Sequence, residues 1–168
     1  MRVLHIAGPA NSGKTRLILE LLPRLEVALV VKWTHHALDP EPPTADTRRF
    51  GSLGVRTLLA APNGLVVRPD IARPLLYQVL ATSLPENALI LVEGDKEAPQ
   101  PKIWLGPALP PKAMAVSLVI GPDEPSPTVP WMPASVPLTH TAVKELAAYL
   151  AQHWPQHCYT IKGGRACE

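Results

Sequence analysis

Apolar residues in this chain gather into short runs and into stripes, and their spacing separates strands from helices. The runs Arg2–Ala7, Glu26–Trp33 and Ala88–Val92 are almost continuously apolar. Half-exposed strands alternate apolar and polar positions, so these runs predict strands buried on both faces of a parallel sheet. Val55–Ala60 and Leu65–Arg68 flank Ala-Pro-Asn-Gly, and Asn63-Gly64 predicts that the two pair as an antiparallel hairpin. Lys102–Leu105 and Ala115–Ile120 complete the strands, with a short edge strand expected around Trp131. Helical spacing appears in Thr15–Leu22, where positions 17, 18, 21 and 22 are apolar and Pro23 ends the stripe. It recurs in Ile71–Leu84, and again after Thr139, where Val143, Leu146, Ala147 and Leu150 share a face and Thr139 can cap the first turn.

Strands alternating with helices predict an α/β fold of three layers, with a mostly parallel sheet and one antiparallel hairpin. Three segments break the pattern. Thr34–Thr47 is polar and too long for a simple turn, which marks it as a working loop. Residues 121–137 carry six prolines and predict a rigid loop. Residues 155–168 read as a loose polar tail after a single domain over 1–154.

Composition narrows the classes. The net charge of +2 is too small to indicate a nucleic-acid partner. No apolar run approaches the roughly 20 residues of a membrane span, and the N-terminus lacks a signal-peptide pattern, so a cytoplasmic protein is expected. Cys158 and Cys167 lack metal-ligand spacing and fit a reducing compartment.

The chemistry starts at residues 8–15, GPANSGKT, which satisfy G-x-x-x-x-G-K-[ST] between an apolar strand and an apolar-striped helix. Glycines let the backbone curl so that successive N–H groups point at phosphate oxygens, and the following helix adds its positive dipole end. Lys14 then places a point charge on the outer phosphates, and the Thr15 hydroxyl can ligate Mg²⁺. Chance would supply the four fixed positions in fewer than about 1% of chains of this length. The pattern predicts a P-loop NTPase-like fold.

Such a loop needs a carboxylate near the metal at the end of a neighbouring buried strand, and Glu93 closes "ALILVEG" at that place. In the polar loop Asp39 and Asp46 are candidates for the metal or the attacking water, and Asp46 sits in the tighter cluster Asp46-Thr47-Arg48-Arg49. Arg48 or Arg49 could steady transition-state charge; equally, both could be solvated surface charges. His35-His36 lie adjacent in an extended segment, which puts them on opposite faces and makes them poor chelators. They fit a loop pair facing phosphate or a partner, or simply solvent. Asp123, just past a strand, is the best-placed carboxylate to accept from guanine N1 and N2, with a plain turn residue as the alternative.

Three blocks together, GPANSGKT at 8–15, VKWTHHALD…ADTRR at 31–49 and LVEGDK…PKIWL at 91–105, resemble the family of molybdopterin-guanine dinucleotide biosynthesis adaptor protein B, over about residues 2–120. The resemblance implies a small homodimeric P-loop protein that binds GTP with Mg²⁺ and hydrolyses it slowly beside the guanylyltransferase that attaches GMP to molybdopterin, with molybdopterin itself a further partner. It implies that Gly8, Asn11, Ser12, Gly13, Lys14 and Thr15 hold phosphates. Asp46 and Glu93 would attend the metal, while Lys32, His35 and His36 would line the phosphate or partner surface. The chain departs from the family pattern in three places: Trp33 in place of His, Thr44-Ala45 in place of Gly-Lys, and Asp95 in place of Phe. The second change removes a candidate stabiliser of the γ-phosphate and bears on hydrolysis more than on binding. A P-loop small-molecule kinase and a nucleotide-binding module without turnover stand as the other readings.

Overall fold

The computed structural model describes residues 1–33, 46–53, 55–61, 64–68, 84–107, 109, 114–125, 128–162 and 165–166. The strands are β1 (Arg2–Ala7), β2 (Val27–Trp33), β3 (Arg56–Ala61), β4 (Gly64–Arg68), β5 (Leu89–Glu93), β6 (Lys102–Leu105), β7 (Val116–Gly121), β8 (Trp131–Pro133), β9 (Cys158–Lys162) and β10 (Arg165–Ala166). The helices are α1 (Lys14–Leu21), α2 (Asp46–Gly51) and α3 (His140–His157). The sheet runs β4-β3-β2-β5-β1-β6-β7-β8. Pairing is parallel from β3 to β8, and only β3–β4 on this path is antiparallel. This is the expected α/β P-loop NTPase-like fold, hairpin included. The helix expected over 71–84 and the Asn63 turn lie outside the described residues.

Strand alternation sorts the core. Leu4 and Ile6 of β1, Val30 of β2, and Leu89 and Leu91 of β5 pack with Leu17, Ile18 and Leu21 of α1 and with Val143, Leu146 and Leu150 of α3. The intervening residues, Val3, Leu29, Val31, Ile90 and Val92, face the other way into a second cluster. The Thr139 hydroxyl caps α3 by accepting from the Ala142 N–H at 3.3 Å. The short strand at Trp131 forms as expected and pairs with β7.

The expected loose tail after residue 154 is corrected. Despite Pro155, α3 runs to His157 across a kink at His153, and the chain then enters the sheet. β9 pairs antiparallel with the first half of β1, Arg2 with Thr160 and Leu4 with Cys158, while β6 takes the second half of the same edge. Cys158, Tyr159 and Ile161 are buried. The short apolar alternation in Cys-Tyr-Thr-Ile was masked by the polar residues on either side. Residue 154 is therefore not a structural boundary.

Among the described residues no helix is long and apolar enough to cross a membrane. Ile161→Ala tests the tail directly. Ile161 is 2% exposed, so the truncation is expected to cost about 2–5 kcal/mol in urea unfolding, where a loose tail would show no change.

Candidate functional site

β5 lies between β1 and β2 and parallel to both, with Glu93 in register with Ile6 on one side and Lys32 on the other. Three strand ends therefore arrive together. Period-2 alternation turns Lys32 and Glu93 toward the α1 face, because Val30 and Leu91, two residues earlier, pack against that helix.

From β1 the chain enters the loop that leads to α1. Gly8 is required by close approach: a Cβ there would stand 2.2 Å from the Leu105 carbonyl oxygen. Gly13 precedes α1 at φ 86°, a left-handed conformation that disfavours other residues, and no side chain caps the helix. The first turn of α1 thus keeps its N–H groups for another acceptor, the arrangement that suits an anion. Ser12 Oγ is buried without a hydrogen-bond partner among the described residues. The Lys14 ammonium donates to the Pro9 carbonyl at 2.6 Å, folding over the loop it belongs to.

Thr15, one residue into α1, gathers the acidic groups. Its hydroxyl lies 2.9 Å from Glu93 Oε1 and 3.2 Å from Asp46 Oδ2. One hydroxyl proton serves only one of these acceptors at a time, so a hydroxyl and two carboxylates converge on a place that favours a cation. Lys32 Nζ stands 2.9 Å from Asp46 Oδ2, and Arg49 reaches Oδ1 at 3.5 Å. Glu93 Oε2 is buried with no hydrogen-bond partner among the described residues. Among the described residues no group of three or more His, Cys, Asp or Glu side chains gathers as a metal cage. A two-carboxylate, one-hydroxyl set fits Mg²⁺, which keeps several waters and takes its remaining oxygens from substrate phosphates. The residues present therefore suit a phosphate-bound Mg²⁺.

Of the candidates read from sequence, Lys14, Thr15, Asp46, Glu93 and Lys32 come together with the Gly8–Gly13 loop. Asp123 does not join them: it sits exposed on the turn after β7. His35, His36 and Asp39 lie outside the described residues. On the other face of the sheet is a cavity walled in part by Trp33, Asp95, Lys96 and Trp104, to which the sequence reading gave no role. The alternation that turns Lys32 and Glu93 one way turns Trp33 the other, and that signal was available.

Residues 3–114 match the family model described as molybdopterin guanine dinucleotide synthesis protein B. The chain is similar to a crystal structure of molybdopterin-guanine biosynthesis protein B, at 19% identity, with 90% of this chain covered, 99% of that one and a TM-score of 0.50. It is also similar to HypB from Helicobacter pylori, solved in complex with nickel, at 13% identity, 95% and 90% coverage and a TM-score of 0.61. At these identities the two structures speak for the fold alone. Among curated proteins none matches.

The two carboxylates titrate in opposite directions. Burial pushes Glu93 above its ordinary value, and the Lys32 charge, the Thr15 hydroxyl and Lys14 recover only part of that, with Asp46 adding to the rise. Burial also pushes Asp46 upward, but the Lys32 hydrogen bond and charge, Thr15 and Arg49 outweigh it and hold the group below its ordinary range. Burial lowers Lys14, opposed by Glu93 and reinforced by Lys32.

A raised carboxylate pKa means that stability falls as pH climbs from the unfolded value, 4.5 for Glu93, through the folded one. A lowered one means stability present above the unfolded value, 3.8 for Asp46, and lost as pH falls through the folded one. In the protein without nucleotide, Glu93→Gln is therefore expected to raise stability at pH 7, with the gain fading toward acid pH. Asp46→Asn is expected to lower it at pH 7, with the loss also fading in acid. Urea titrations of both variants across pH check the opposite signs.

Proposed function

The chain belongs to the molybdopterin guanine dinucleotide synthesis protein B family, and on that premise we propose that it is a GTP-binding accessory protein in the formation of that dinucleotide. The reading carries Mg²⁺ with the nucleotide, slow hydrolysis, a homodimer, and the guanylyltransferase of the same step as partner. One observation supports it above the others: the Thr15 hydroxyl meets Glu93 and Asp46 at 2.9 and 3.2 Å, beside an uncapped helix start and an ammonium.

Each residue has a part in this reading. Backbone N–H groups of Gly8–Thr15 bind the polyphosphate, and Lys14 leaves the Pro9 carbonyl to neutralise its outer charge. Thr15, Asp46 and Glu93 would hold a Mg²⁺, which when bound would supply positive charge to the phosphates. Lys32 holds Asp46 in place. A proton acceptor works best with a pKa near the working pH, and Asp46 lies below even the usual carboxylate range, so it is a weak base. Glu93 is the stronger base of the two, and it is 6% exposed beside the Thr15 hydroxyl. Slow turnover is part of this reading, and an adaptor is preferred to a kinase because the short pair Arg48-Arg49 is the chain's arginine-dense stretch and makes no arginine-rich lid.

Calorimetry with GTP and Mg²⁺ is expected to show saturable binding that Lys14→Ala weakens by about a hundredfold or more, with the melting temperature preserved. Phosphate release is expected well below about 1 s⁻¹, against the 1–100 s⁻¹ of kinases. Unchanged affinity in Lys14→Ala, or rapid transfer to a small acceptor, would overturn the assignment.

A further inference from the structure

The end of α3 carries a buried polar network in which no residue of the nucleotide site takes part. His157 is 1% exposed. Its Nδ1 lies 3.1 Å from the Ser117 hydroxyl of β7, and its Nε2 lies 3.2 Å from the Tyr149 hydroxyl, further back on α3. The Ser117 hydroxyl gives its own proton to the Lys102 carbonyl of β6 at 3.1 Å. Toward His157 it is therefore an acceptor, which assigns the ring proton to Nδ1 and leaves Nε2 bare to accept from Tyr149. One neutral tautomer satisfies both nitrogens.

A second proton on this ring finds no acceptor. Nε2–H and the Tyr149 hydroxyl would present protons to each other. His153, also on α3, stacks on Tyr149 with ring centroids 4.3 Å apart and adds to the positive side. The Lys102 ammonium, beyond Ser117, is engaged with the carbonyls of Ala98, Gln100 and Met114. Cys158, which opens β9, is a buried thiol pushed up to about 12 and brings no negative charge. None of these groups is a carboxylate. Burial first and then the His153 charge hold His157 below its ordinary value.

What the network holds is the join between α3 and β9. The helix is already broken at His153 and carries Pro155 inside its last turn. Directly after His157 the chain enters β9, which covers the first half of the β1 edge, Arg2–Leu4, and donates from the Ile161 N–H to the Met1 carbonyl at 3.0 Å. β1 keeps β5 on its other side and β6 along its second half, so β9 can leave while β1 stays in the sheet. A second histidine, His5 of β1, faces β9 with its ring centroid 5.6 Å from that of Tyr159, and burial with the Lys102 charge lowers it to about 4.

We propose that His157, Tyr149 and Ser117 form an acid-sensitive clasp: a proton taken up at Nε2 breaks the Tyr149 hydrogen bond and releases the end of α3 and β9 from β1, while the other strands stay paired. The folded ring is held below the 6.5 of a free histidine, so the clasp is closed above that value and loosens as pH falls through the folded one.

NMR-detected amide exchange on the full-length protein reads the clasp, with Ile161 in β9 and Leu91 in β5 as probes and rates corrected for intrinsic pH dependence. The Ile161 opening constant is expected to exceed that of Leu91 by about tenfold or more, the mark of local release. It is expected to rise about tenfold from about pH 7.5 to about pH 5. His157→Gln is expected to flatten that rise. Tyr149→Phe removes the hydroxyl that favours a bare Nε2 and is expected to move the rise to higher pH, a shift that lost packing alone would not give. It carries the test if His157→Gln does not fold. Equal opening of Ile161 and Leu91, a flat profile in the unsubstituted protein, the same rise in His157→Gln (which would assign it to His5), or an unmoved rise in Tyr149→Phe would each overturn the proposal.

Discussion

Everything at the working edge depends on the parallel placement of β5 between β1 and β2. That pairing brings the end of the phosphate-loop strand, the end of the Glu93 strand and the end of the Lys32 strand to one line, in register at Ile6, Glu93 and Lys32. The pleat then divides them. Residues one apart on a strand face opposite sides of the sheet, so Lys32 joins the charged cluster under α1 while Trp33 joins the cavity behind it. A one-residue slip of β2 would exchange the two and ruin both faces.

The charged cluster is held at some cost in stability. Glu93 is buried with one oxygen unpartnered among the described residues, Lys14 is pushed toward its neutral form, and α1 starts without a side-chain cap. Each of these would be improved in a purely structural protein by a shorter polar residue or a Ser, Thr, Asp or Asn cap. A bound polyphosphate with its metal would relieve all three at once, because it offers acceptors to the helix N–H groups, charge to Lys14 and a cation to Glu93. The apolar faces of α1, α3 and the sheet supply the stability that leaves room for this.

The central strands were legible because burial on both faces leaves continuous apolar runs, and Gly8–Thr15 and Glu93 were legible because phosphate chemistry fixes both residue type and spacing. Asp46 was found by its confined polar setting, and Lys32 only through resemblance: a lysine near the end of an apolar strand does not announce which face it takes. β9 was hidden because antiparallel pairing with β1 needs only five residues, and Cys-Tyr-Thr-Ile-Lys is short and flanked by His157 and Gly163. Lys102 was invisible as a buried group, since its partners are carbonyls that carry no side-chain signal. Asp123 was singled out by its position after a strand, and it stands exposed there.

Trp33 and Asp95, two of the three departures from the pattern that the chain resembles, both wall the cavity. Both residues therefore lie on the face behind the loop, away from the charged cluster at Thr15. The two faces nonetheless share backbone: Gly8, Pro9 and Ala10 line the cavity with one side and lead into α1 with the other, and Gly94 follows directly on Glu93. A Cβ at Gly8 would meet the Leu105 carbonyl and one at Gly94 the Trp33 carbonyl, so neither position accepts a side chain. A ligand in the loop and a ligand in the cavity would both bear on these few peptide units. In a fold this small, the pleat sets the charged cluster and the aromatic cavity on opposite faces while one stretch of loop serves both.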